Sequence, residues 1–467
     1  MLGFEKPKFE KKDDEFSIID QSLNESQVKA VKLALEADTI ALIHGPPGTG
    51  KSYTLIEIIR QFVNQGKRIL VCGASNLAVD NILERLIPFK LPLTRLGHPA
   101  RVLKNVHTST LEFQTAHSSS GAIVKDVKQD IEQQLAQLKT GKIKGKQRKE
   151  AWGNIKELRK EYRKREQGVI KGVVSQSQIV LATCHGAGGK QLLSQPDFDI
   201  CIIDESTQAL EPSCWIPILK SKKLILAGDP LQLPPTIISR NENLPKLEKE
   251  KEKEKGCLLT PPKTLERTLF ERLVRMYGNR IKCLLNTQYR MNELIQNFPS
   301  STLYNDELKA FEGVKSRSLL DLPNISSFEG DKDEELLSAP LTFIDTDGCD
   351  FFERVDNADG SNVADEGSKY NENECEVVVK RVNELIENGV LPSQIAIITP
   401  YQAQVSHLSA LLHEKYPELE IGSVDGVQGR EQEVVIMSLV RSNDKVSSLH
   451  FYYYSAINTF NRVKLDF

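Results

Sequence analysis

Residues 43–52 read Ile-His-Gly-Pro-Pro-Gly-Thr-Gly-Lys-Ser and fit the spacing G-x-x-x-x-G-K-[ST]. The chemistry of that spacing is phosphate binding. Gly45, Gly48 and Gly50 let the backbone fold tightly and turn its N–H groups toward an anion. Lys51 can reach the outer phosphates of a nucleotide, and Ser52 offers a hydroxyl to Mg²⁺. The whole stretch Gly45, Pro46, Pro47, Gly48, Thr49, Gly50, Lys51 and Ser52 is the candidate nucleotide cradle. Downstream, the apolar run Ile200-Cys201-Ile202-Ile203 ends in Asp204-Glu205. Nucleotide hydrolysis needs one anion to hold Mg²⁺ and another to orient or deprotonate water; Asp204 fits the first role and Glu205 the second. A third run, Lys223–Ala227, leads into Gly228-Asp229-Pro230-Leu231-Gln232-Leu233-Pro234-Pro235. On that Pro-stiffened loop the Gln232 amide can contact a terminal phosphate or its attacking water.

These groups need elements to hold them. Ile40–Ile43 reads as a buried strand and Tyr53–Arg60 as an amphipathic helix, so the phosphate loop has the strand–loop–helix context it requires. The helix N-terminus adds partial positive charge at the same spot. A length of 467 residues suggests about three domains. With 39% hydrophobic and 27% charged residues, the composition is that of an ordinary globular protein. The longest apolar runs are strand-length, so no membrane partner is expected. The N-terminus lacks the apolar core of a signal peptide. Eight cysteines lie scattered without a C-x-x-C pair, which predicts mostly buried thiols in a reduced intracellular compartment.

A net charge of −3 gives no global signature for nucleic acid, so any such binding must be local. One patch qualifies: Lys125 to Glu166 holds 14 Lys/Arg and 7 Asp/Glu, a net of +7. Apolar residues recur there at helical spacing (Ile131, Leu135, Leu138; Ile155, Leu158, Tyr162), and Thr140–Gly145 separates two runs. This predicts an antiparallel helical hairpin. Two readings stay open: a solvated charged hairpin, or a basic arm lying along a phosphate backbone. The strict Glu/Lys alternation of 248–255 carries no net field and reads as a solvated segment.

Further blocks follow in order: Leu-Asn-Glu-Ser-Gln at 23–27, Cys-Gly-Ala-Ser-Asn at 72–76, Leu-Ala-Thr-Cys-His at 181–185 and Gln-Tyr-Arg-Met at 288–291. Thr-Pro-Tyr-Gln-Ala-Gln stands at 399–404 and Ser-Val-Asp-Gly-Val-Gln-Gly-Arg-Glu at 423–431. Together with the phosphate loop and the Asp204-Glu205 block, they resemble superfamily 1B helicases of the group that contains the nonsense-mediated-decay helicase. The resemblance runs from about Leu23 to Asn443.

It implies roles. Gln27 matches the glutamine that reads the adenine edge, for which a side-chain amide is suited. Gln232 matches the phosphate sensor, Tyr289 the aromatic packed on the base, and Arg290 the arginine that neutralises the gamma-phosphate. Glu431 matches a ribose contact. Ser75, Asn76 and Thr183 match one grip on the nucleic-acid backbone, and Tyr401 and Gln404 a second. Hydroxyls and amides bond phosphate or sugar without reading sequence; local turn capping is the alternative reading of these small polar residues.

The fold implied is α/β: two RecA-like P-loop NTPase domains with an inserted basic helical subdomain. Expected boundaries are 23–102 with 172–275 for the first domain, 103–171 for the insert and 276–441 for the second. Residues 1–22 read as an N-terminal remnant or stalk and 442–467 as a divergent tail. The implied activity is ATP- and Mg²⁺-dependent 5′-to-3′ translocation and unwinding on single-stranded DNA or RNA, in nucleus or cytoplasm. Two departures stand against the family pattern. Only about twenty residues precede the block that ends in Gln27, where relatives carry a β-barrel and stalk. After Asn443 the family's arginine block is replaced by Phe451-Tyr452-Tyr453-Tyr454, and Arg462 aligns with that arginine only with a one-residue shift. The chain therefore reads as a fragment or frame-disrupted product. This leaves a nucleotide-gated nucleic-acid binder with weak turnover as the alternative to a working helicase.

Overall fold

The computed structural model describes residues 6–9, 17–139, 145–193, 195–237, 265, 267–325, 331–346, 348–356, 368–424, 426, 427 and 431–441. The chain divides into two units. The first comprises Met1–His44, Ser52–Pro230 and Pro234–Cys283; the second comprises Gly45–Lys51, Leu231–Leu233 and Leu284–Phe467.

The first unit is built on a seven-stranded sheet. Its strands are β1 (Ile40–His44), β2 (Ile69–Gly73), β3 (Leu93–Arg95), β4 (Ile179–Thr183), β5 (Phe198–Asp204), β6 (Ser221–Gly228) and β7 (Lys282–Leu284). Their spatial order is β3-β4-β2-β5-β6-β1-β7. β1 and β2 are buried at every position, the pattern of a parallel strand covered on both faces. β1 pairs parallel with β6, β6 with β5, β5 with β2, and β2 with β4. Their C-terminal ends therefore share one edge: His44 lies opposite Gly228, and Gly73 lies opposite both Asp204 and Thr183. In sheets of this kind, ligands bind beyond the carboxyl ends of the strands.

Helices α1 (Glu25–Glu36), α2 (Lys51–Asn64) and α3 (Asn76–Leu86) pack onto this sheet through apolar stripes; α2 buries Leu55, Ile58, Ile59 and Phe62. Between β3 and β4 the chain forms α4 (Leu111–Ala116), α5 (Ser119–Lys139) and α6 (Gly145–Gln176). α5 and α6 meet along a seam of Val127, Ile131 and Ile155, flanked by Leu135, Leu138, Leu158 and Tyr162. Arg148, Lys149, Lys156, Arg159, Lys160, Arg163 and Lys164 stay exposed on α6. The break at Thr140–Lys144 lies outside the described residues.

The second unit holds short parallel strands β8 (Thr287–Gln288) and β9 (Lys309–Ala310), and an antiparallel pair β10 (Arg354–Asp356) and β11 (Ser368–Tyr370). Its main sheet is parallel: β12 (Ile395–Thr399) runs between β13 (Glu420–Ser423) and β14 (Val434–Met437). Helices Glu372–Glu387 and Gln402–Leu412 cover it, with Val378, Val382, Leu385, Ile395, Ile397 and Leu408 in the core. Among the described residues, no helix is long and apolar enough to cross a membrane.

Candidate nucleotide and nucleic-acid sites

The phosphate loop leaves β1 at His44 and enters α2 at Lys51. Gly48 and Gly50 have φ of +71° and +72°, left-handed values that favour glycine. A Cβ at Gly45 would fall 2.9 Å from Lys51 Cβ, so the loop is wrapped onto its own lysine. Thr49, almost fully buried, closes the turn by donating its hydroxyl to Pro46 O at 2.7 Å. Lys51 and Ser52 are half-buried in the first turn of α2, at the end of the helix that carries partial positive charge. This cradle fits a polyphosphate, and Ser52 with Asp204 is a donor set that fits Mg²⁺.

Asp204 is the last residue of β5 and accepts the Glu205 N–H at 2.9 Å. Glu205 has φ +49°, an unusual value for a non-glycine residue and of the kind that collects at functional sites. Gln208 donates to Glu205 Oε2 at 2.9 Å and so orients its carboxylate. Neighbouring strand ends are laced together. Ser206 donates to Ala227 O, the Asp229 N–H donates to Thr207 Oγ1, and His44 Nε2 lies 2.9 Å from Asp229 Oδ1. His44 and Asp229 are both buried. The sequence motifs do not mark this pair. Its one signal is a polar residue closing an otherwise apolar strand. Gln232, three residues beyond Asp229, is buried. Gln27, also buried, accepts the Asn24 N–H and closes a capping box at the start of α1.

In the second unit, Gln288 organises the block it begins. Fully buried, it accepts the N–H groups of Arg290 and Met291 and donates to Met291 O and Gln296 Oε1. Tyr289 is half-exposed, its ring 4.9 Å from that of Phe311. Arg290 forms an ion pair with Glu431, so the structure joins two residues that the sequence treated separately. Asp425, Gln428, Gly429, Arg430 and everything after Arg441, Arg462 included, lie outside the described residues.

The candidate backbone grips divide. Ser75 and Asn76 follow the end of β2 and Thr183 ends the adjacent β4, so all three share the carboxyl edge. Ser75 Oγ accepts the Ala78 N–H and Thr183 Oγ1 accepts the Gly186 N–H. Each hydroxyl therefore caps a turn as an acceptor, and among the described residues its O–H has no acceptor. Tyr401 precedes the helix Gln402–Leu412 and is half-buried. Gln404 departs from its expected place. It is fully buried, donates to Ser438 Oγ at 2.8 Å, and accepts the Asn371 N–H at 2.8 Å. A buried amide must satisfy both its ends, and here both are satisfied by the core, so Gln404 is a brace and offers no surface grip.

No disulfide joins the described cysteines, and burial raises the Cys72 and Cys375 thiols above their ordinary range.

Comparison with known proteins shows the family. Residues 22–240 match one AAA-domain family and residues 265–456 a second. Fold and site together define a P-loop NTPase of the helicase class, with two RecA-like domains and an inserted helical subdomain. The chain belongs to the superfamily 1B helicases. It is 44% identical to the DNA polymerase alpha-associated DNA helicase A of Schizosaccharomyces pombe, over 91% of this chain and 59% of that protein. Identity to the DNA-binding protein SMUBP-2 of Rattus norvegicus is 42%, over 91% and 40% respectively. An uncharacterised ATP-dependent helicase of Methanocaldococcus jannaschii is 34% identical over 95% of this chain and 67% of its own length. The chain thus spans 59% of the first of these relatives and 40% of the second.

Proposed function

We propose that this chain is an ATP-dependent helicase and translocase that moves 5′ to 3′ along single-stranded DNA or RNA, in nucleus or cytoplasm. The observation that carries the reading is the shared carboxyl edge of the first sheet. The phosphate loop leaves the end of β1, Asp204-Glu205 the end of β5 and Asp229 the end of β6, and these ends lie on the same edge as the ends of β2 and β4, which carry Ser75, Asn76 and Thr183. Nucleotide chemistry and a strand grip then start from the ends of one parallel sheet. The domain limits follow the sequence reading: 23–102 with 172–275, the insert 103–171, and 276–441.

Lys51 supplies a fixed cation to the outer phosphates. Ser52 and Asp204 would hold Mg²⁺, which supplies charge neutralisation at the reacting phosphate. Glu205, oriented by Gln208, takes a proton from the attacking water. Gln232 senses the terminal phosphate, Arg290 offsets its developing charge, and Gln27, Tyr289 and Glu431 hold base and ribose. Ser75, Asn76, Thr183 and Tyr401 touch the strand backbone.

The test is strand-stimulated ATP hydrolysis. Oligo(dT) is expected to accelerate turnover, Lys51→Ala to abolish it, and Glu205→Gln to stop it while a non-hydrolysable analogue still binds. Wild-type turnover in Lys51→Ala would overturn the catalytic assignment. Strand binding gated by nucleotide, with no turnover in the wild type, would leave the binding-only reading instead.

A further inference from the structure

Arg95, at the end of edge strand β3, is among the largest fully buried side chains, and its partner Asp80 on α3 is also buried. Arg95 Nε donates to Asp80 Oδ1 at 2.8 Å, Nη1 donates to Leu96 O, and Nη2 donates to Asn76 Oδ1 at 3.0 Å. The other Asp80 oxygen accepts the Leu103 N–H at 3.1 Å. Gly97 leaves room for the guanidinium: a Cβ there would sit 3.1 Å from Nη1. A buried ion pair contributes little net stability, because desolvation offsets its attraction, so a role in fixing geometry is the stronger explanation.

We infer that Arg95 and Asp80 are positioning residues that set the Asn76 amide for the strand and tie it to Leu103, the root of the inserted helices. The chemistry is directional. Guanidinium only donates, so it selects the Asn76 oxygen. The Asn76 NH₂ is then left without a partner among the described residues, and it is a donor, the group that a phosphate or sugar oxygen needs. The Asp80 carboxylate is bidentate in effect, one oxygen on Arg95 and one on the backbone where the chain departs for the insert. A shift of the insert root moves Asp80, then Arg95, then the donor. This inference rests on the reading of Asn76 as a strand contact.

Three variants of the full chain test it, with fluorescent oligo(dT) as the strand probe and a fluorescent ADP analogue as the control. Asn76→Asp keeps the acceptor for Arg95 and removes the outward donors; it should weaken oligo(dT) binding about tenfold. Leu103→Pro deletes the one N–H at issue. Leu103 has φ −59° and Val102 ψ 142°, both compatible with proline. This variant should weaken oligo(dT) binding about three- to tenfold, leave ADP affinity unchanged, and add nothing further in an Asn76→Ala background. A merely structural role would add in that background. On the wild-type protein, oligo(dT) should slow hydrogen exchange at the Leu103 amide, and Asn76→Ala should remove that protection. Unchanged binding by Asn76→Asp would sink the strand reading itself. Weakened binding by Asn76→Asp, with no exchange response at Leu103 or with additive losses, would sink the link alone.

Discussion

His44 Nε2 lies 2.9 Å from Asp229 Oδ1, so two residues 185 apart in sequence join the phosphate-loop strand to the loop that carries Gln232. Both side chains are buried, and the same Asp229 is tied through its N–H to Thr207, two residues past Glu205. His44→Ala is expected to cost roughly 1–3 kcal/mol of stability, the usual cost of removing one partner of a buried hydrogen bond. It should also lower ATP turnover more than ATP affinity, because it loosens Gln232 and leaves the loop glycines intact. Urea unfolding and steady-state kinetics check this; a fall in affinity alone would count against it.

Gln288 sets the backbone from which Arg290 projects, through four bonds inside the second unit. Gln288→Ala should destabilise that unit by roughly 2–4 kcal/mol and cut turnover as Arg290→Ala does. The double variant should then be no worse than either single one. Additive losses would show that Gln288 and Arg290 act apart.

The exposed basic face of α6 separates the two readings of the hairpin. Changing Lys156, Arg159, Lys160 and Arg163 together to Gln should lower the log–log salt slope of oligo(dT) binding by up to about 3, at roughly 0.7 per phosphate contact on a single strand. An unchanged slope returns the hairpin to a solvated surface.

Glu374 bears on acid behaviour. Burial raises its pKa above the ordinary carboxylate value, against bonds donated by Ser438 Oγ and the Leu439 and Val440 N–H groups. A raised folded pKa means that folding takes up a proton in the window just above 4.5. The stability this proton confers is full below 4.5 and is lost as pH rises through the folded value. The stability gap between wild type and Glu374→Gln should therefore move in favour of the variant as pH rises from 4 to 7, read by urea midpoints. A gap moving the other way would mean that the three donors outweigh burial.

Much of the fold was legible. Ile40–Ile43 and Tyr53–Arg60 fall within β1 and α2, Ile200–Ile203 within β5, and Lys223–Ala227 within β6. The apolar spacing of 131–162 marks the seam between α5 and α6. These are local patterns: a run of β-branched and aliphatic residues, or a 3.6-residue repeat, is written into neighbouring positions and needs no partner elsewhere.

The sequence by itself determined the phosphate loop, the acidic pair at a strand end, the basic hairpin and the family. Only the tertiary structure decided that β6 lies between β1 and β5, that His44 meets Asp229, that Arg95 bonds the Asn76 oxygen, and that Gln404 is spent in the core. Strand order depends on how crossovers pack, and a buried polar group takes whichever partner the fold brings near. Neither is encoded at the position of the residue itself. Ser, Thr, Asn and Gln read alike as grips or braces until burial shows which of their donors and acceptors the protein has already used.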